Sequence, residues 1–127
     1  MKRMILCFAL LSLIALGASA KEPELIAVKF HADWCGSCKA MGPVVDELRN
    51  KLDGKPVLFV ELDRTNQTSS NEAILLAGAL GLSKLYEENA GTGFILLVDS
   101  ESKKPVARFT KAQSTKEIGK EILARLQ

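Results

Sequence analysis

Histidine occurs once in this chain and cysteine three times, and those two scarcities exclude a good deal. With Cys7 assigned to a leader, only Cys35, Cys38 and His31 remain as soft ligands, short of the four that a closed zinc site takes. A purely static staple between Cys35 and Cys38 is disfavoured too, because the loop is too short to restrain the unfolded chain much. No internal repeat, low-complexity tract or interdomain linker breaks the sequence after the leader, so it reads as one unit. Nor is there an excess of charge. Loss of Lys2 and Arg3 with the leader takes Lys plus Arg from 17 to 15 against 15 Asp plus Glu, which predicts neither nucleic-acid nor anionic-lipid binding.

What is present begins with the leader. Lys2 and Arg3 precede an apolar stretch from Met4 to Leu16, and Ala18-Ser19-Ala20 supplies a small-x-small site before Lys21. That pattern reads as a secretory signal peptide over 1–20, with cleavage near Ala20. The apolar run is too short to span a bilayer comfortably. Cys7 suggests a lipoprotein alternative, but no hydrophobic region precedes it. The expectation is a secreted or periplasmic protein whose domain occupies 21–127, in a compartment where a disulfide can form.

The chemistry is concentrated in Trp34-Cys35-Gly36-Ser37-Cys38-Lys39. Two cysteines separated by two residues can close and open a disulfide with little backbone movement. At a helix start, unpaired backbone N–H groups and the positive end of the dipole favour a thiolate. Cys35 is expected as the exposed attacker and Cys38 as the buried resolver, with Trp34 covering one side of the thiolate.

The surrounding pattern positions that motif. Leu25 to His31 is a short apolar run that delivers the chain into it, read as a strand. Met41, Val44, Val45, Leu48 and Leu52 share one face of a helix from Gly36 to about Leu52, with Pro43 inside it. Val57 to Leu62 reads as a second buried strand. Ser69-x-x-Glu72 suggests a capping box for a helix with a core stripe of Ile74, Leu75, Leu76, Ala79 and Leu80 that Gly81 ends. Ser83 to Asn89 adds a helical turn or two. Phe94 to Val98 and Val106 to Thr110 read as strands joined by a polar hairpin loop. Ser114-x-x-Glu117 caps a last helix carrying Ile118, Ile122, Leu123 and Leu126.

The order β-α-β-α-β-β-α, with the cysteines at the first strand-to-helix junction, resembles the thioredoxin family. The resemblance rests on Phe30-His31-Ala32-Asp33-Trp34-Cys35-Gly36-Ser37-Cys38-Lys39, then Pro43 and Asp46-Glu47-Leu48. It implies an α/β, trimmed thioredoxin-like fold, a central mixed sheet of about four strands flanked by helices. The family's first strand and helix have no counterpart after the leader. It also implies an exported thiol-disulfide oxidoreductase that exchanges with protein thiols or disulfides, with no cofactor, no metal and no nucleic-acid partner, acting as a monomer. A membrane electron donor, or an oxidant, would reset it. The alternative is a non-catalytic thioredoxin-fold carrier of copper or zinc, or a partner-binding module. Gly36-Ser37 does not fix the direction of electron flow, since related dithiols span about −270 to about −120 mV.

Two departures bear on the site. The family's buried acidic residue before the matching Phe30 is Lys29 here, which implies a different proton route or a slower exchange. Its cis-proline aligns with Gly93; without proline a cis bond costs roughly 2.5–4 kcal/mol, so a trans bond and an altered substrate groove are expected. The longer segment between Asp63 and Gly93 would supply part of the docking surface. Cys35 and Cys38 are the expected catalytic pair, with Trp34, Gly36, Ser37, Lys39, Lys29 and Gly93 supporting; His31 is read as packing.

Overall fold

The computed structural model describes residues 22–127, and the leader and Cys7 lie outside them. In chain order the elements are β1 (Leu25–His31), α1 (Gly36–Lys51), β2 (Val57–Asp63), α2 (Gln67–Ala79), α3 (Ser83–Glu88), β3 (Phe94–Asp99), β4 (Pro105–Phe109) and α4 (Thr115–Arg125). The strands form one mixed sheet in the order β2-β1-β3-β4, with β1 parallel to β2 and antiparallel to β3.

The central position of β1 explains its composition. Leu25 to Phe30 are all buried, because helices cover both faces and neither face can be polar. Ile26, Val28 and Phe30 point to one core with Ala73 and Ala77 of α2 and Leu85 and Tyr86 of α3. Leu25 and Ala27 point to the other, with Met41, Val45 and Leu48 of α1 and Ile118 and Ile122 of α4. The parallel β1–β2 pair needs a crossover, and α1 supplies it.

Several expectations are corrected. The helix over 67–79 is capped by Asn66, whose side chain accepts from the Ser69 N–H, so Ser69 is the third helical residue and not the cap. Its large residues are not core: Ile74, Leu75 and Leu76 are exposed, and the buried face is Ala73 and Ala77. Small side chains let α2 lie close against the sheet, and that requirement sets the helix's rotation. Leu123 of α4 is exposed as well. The capping box of α4, Ser114 with Glu117, is present as read.

Candidate active site

Cys35 is itself the N-cap of α1. Its backbone is extended (φ −92°, ψ 114°), and its Sγ accepts the Cys38 N–H at 3.2 Å, where a capping oxygen would normally sit. The Cys35 N–H donates to the Ala32 carbonyl at 3.1 Å, closing the turn between strand and helix. Cys35 is half-buried and Cys38 fully buried, and both are free thiols. The Cys38 thiol points at the Phe30 carbonyl, 3.6 Å away.

That same carbonyl accepts the Gly93 N–H at 2.8 Å, so the β1–β3 ladder carries Gly93 to the sulfurs. Gly93 has φ +87°, and the peptide bonds of the described residues are all trans. A Cβ at Gly93 would lie 2.7 Å from the Ser37 Cβ and 3.2 Å from the Cys35 Sγ. Only glycine allows this backbone to approach so closely.

The two thiols differ in acidity for identifiable reasons. Burial opposes charge on Cys35. Hydrogen bonds from the Cys38 thiol, the Thr92 hydroxyl and the N–H groups of Cys38 and Ser37 outweigh it and hold its pKa below the ordinary thiol value. For Cys38 burial comes first and raises the pKa, and hydrogen bonding to Cys35 raises it further. Of the two thiols, Cys35 is therefore the one that ionises more readily.

Thr65 holds the approach to the cysteines. Its hydroxyl accepts the Asp33 N–H at 2.9 Å, and its carbonyl accepts the Trp34 indole N–H at 3.2 Å. It is held in turn by Asp63, whose Oδ1 accepts both the Thr65 N–H and its hydroxyl. Burial works against charge on Asp63, yet those bonds, with His31 nearby, keep its pKa low. Trp34 is 68% exposed; its indole N–H is tied to the Thr65 carbonyl that leads into α2.

The remaining expected residues divide. Gly36 and Lys39 are exposed and Ser37 half-buried at the helix start. Lys29 is buried on the α1 side of β1, and its ammonium pairs with Glu61 of β2 at 2.9 Å. The His31 ring is mostly buried at the end of β1; its Nε2 lies 3.0 Å from Asp33, and Nδ1 is buried without a partner. Thr92 and Thr65 were not singled out from the sequence. Thr92 immediately precedes the glycine aligned with the family's proline, and that adjacency was the available signal. Among the described residues no group of three or more His, Cys, Asp or Glu side chains is placed to hold a metal ion.

The thioredoxin family model matches residues 18–89. Thioredoxin of Rickettsia conorii is 40% identical over 64 residues, 50% of this chain and 61% of that one. Protein disulfide-isomerase 1 of Caenorhabditis elegans is 47% identical over 45 residues, 35% of this chain and 9% of that one. The chain thus spans less than two thirds of the length of these curated relatives. Among solved structures, thioredoxin NaTrxh of Nicotiana alata superposes with a TM-score of 0.51 at 28% identity, covering 84% of this chain and 77% of that one.

Proposed function

The chain belongs to the thioredoxin family, and on that premise we propose that it is an exported protein-thiol oxidoreductase working through Cys35 and Cys38. The observation that carries the reading is the asymmetry of the pair: one sulfur caps a helix and is partly exposed, and the other is buried behind it. The Cys35 thiolate attacks a substrate disulfide, forming a Cys35–substrate disulfide and expelling the first substrate thiolate, which takes a proton from water. Cys38 then loses its proton to solvent and attacks the Cys35 sulfur. The mixed disulfide breaks, the second substrate thiol leaves, and Cys35 and Cys38 are joined; the substrate has gained two electrons and the pair has lost them. Run backwards, the same steps oxidise a substrate dithiol. Stabilisation of the Cys35 thiolate favours the reduced pair and so makes its disulfide more oxidising. The leader pattern over 1–20 supports export, and an external thiol donor or oxidant of the same compartment would complete the cycle.

Equilibration of residues 21–127 against glutathione buffers tests this. A reversible disulfide is expected, with Cys35 alkylated much faster than Cys38 at neutral pH. Because the Cys35 pKa is lowered, its alkylation rate should level off at a lower pH than that of a free thiol. Cys38→Ala should accumulate mixed disulfides with substrates and Cys35→Ala none. Equal labelling of the two sulfurs, or no disulfide at any glutathione ratio, would overturn the reading.

A further inference from the structure

Arg64 follows β2 directly, and its backbone N–H donates to the His31 carbonyl at 2.8 Å, fixing it at the sulfur end of the sheet. From there the side chain crosses to the end of α3. Nη2 donates to the carbonyls of Tyr86 at 2.7 Å and Asn89 at 2.8 Å. The guanidinium lies 3.8 Å from the centroid of the Tyr86 ring and 5.8 Å from that of Phe30. Nε is buried with no partner. A cation on the last carbonyls of a helix is favourable, but a buried N–H left unsatisfied opposes it.

What Arg64 fixes is the start of the segment that reaches the sulfurs. After Asn89 the chain runs through Ala90, Gly91, Thr92 and Gly93 without regular structure. Glycines flank Thr92 and restrain its position little. The Gly93 N–H on the Phe30 carbonyl anchors one end, and the Arg64 contact to the Asn89 carbonyl anchors the other. Between these anchors Gly93 must hold an approach that leaves no room for a Cβ.

We propose that Arg64 is a positioning residue for the exchange site: by gripping the Tyr86 and Asn89 carbonyls it sets the path of residues 89–93 and keeps Thr92 and Gly93 seated against Cys35 and Ser37. The proposal rests on the Cys35–Cys38 chemistry proposed above. Cys38 and Lys39 of α1, His31 and Asp33 at the end of β1, Asp63 at the end of β2 and Tyr86 of α3 are titratable groups at this end of the sheet, and the variants below leave all of them in place.

The test compares Arg64→Met, Arg64→Lys, Thr92→Val and the double variant Arg64→Met/Thr92→Val, reading the pH midpoint of Cys35 alkylation and the rate of exchange with a small disulfide. Arg64→Met should raise the midpoint toward that of an ordinary thiol and slow exchange about tenfold, the scale of one lost hydrogen bond. Arg64→Lys, which keeps the charge and can still donate to one carbonyl, should recover part of the loss. Thr92→Val should raise the midpoint as well, and adding Arg64→Met to it should change the midpoint little more. A merely structural arginine would lower the melting temperature and leave the midpoint where it was; that result, or full additivity of the two substitutions, overturns the proposal. Should Arg64→Met fail to fold, Arg64→Lys and Thr92→Val carry the same readouts. Thiol titration needs no exchange activity, so absence of a reversible disulfide in the unsubstituted protein would reject the exchange reading without deciding the Arg64 contact.

Discussion

At Gly93 the site admits a hydrogen and nothing larger. Gly93→Ala would place a methyl 2.7 Å from the Ser37 Cβ and 3.2 Å from the Cys35 sulfur, at a φ of +87° that L-residues avoid. It should destabilise the fold by about 1–3 kcal/mol and slow exchange, read by denaturant unfolding and a disulfide-reduction assay. Gly93→Pro should cost more, because proline fixes φ near −65° and deletes the N–H that Phe30 accepts. It is therefore not expected to restore family-like exchange. An alanine variant as stable and active as the unsubstituted chain would mean that the loop sits further from the sulfurs. Lys29 makes a complementary case. Its position before Phe30 was visible, but its partner depends on strand register, which pairs it with Glu61 across β1 and β2. Glu61 is half-exposed, so Glu61→Gln should cost only about 1–2 kcal/mol, and Lys29→Met should be close to neutral because an apolar side chain suits the site. A loss of stability on Lys29→Met larger than that on Glu61→Gln would show that the ammonium does more than satisfy its partner. The Cys35–Cys38 pair is legible from spacing, and Thr92 only from its place beside Gly93, whereas Thr65 and Arg64 act through contacts far apart in sequence and carry no local signal.

Elements were easier to locate than to orient. The apolar run Leu25 to His31 coincides with β1, since a strand buried on both faces leaves a continuous apolar run. α1 matched because its large apolar residues occur on a single face. In α2 two faces compete: Ile74, Leu75 and Leu76 are the bulkier set, yet Ala73 and Ala77 are the ones that meet the core. Periodicity registers bulk, while the sheet below α2 selects for close approach. The cap went the same way, with Asn66 taking the role expected of Ser69. Leu75→Gln should accordingly change stability by no more than about 0.5 kcal/mol. Ala73→Leu should destabilise by about 1–3 kcal/mol through overpacking. Thermal and denaturant melts of the two variants decide this, and the reverse order of effects would restore the bulky stripe as core.

At the scale of the whole molecule, the sheet's order decides which backbone is protected. Strand count followed from apolar runs, but order did not, because pairing partners are chosen by the crossover through α1 and by the hairpin between β3 and β4. β1 and β3 have a strand on each side, while β2 and β4 close the sheet among the described residues. β4 carries Pro105 at its start and pairs across an irregularity at Leu97/Val98, features that blunt an edge. β2 has no proline, and its register with β1 runs unbroken from Val57 to Asp63. Native-state hydrogen exchange should therefore find the amides of β1 and β3 opening only with global unfolding. Alternate amides of β2, those directed away from β1, should exchange orders of magnitude faster. Full protection along both sides of β2 would mean that its outer edge is covered. A dilution series would then separate the two sources, since cover by a second chain weakens as concentration falls and cover by a further segment of the same chain does not.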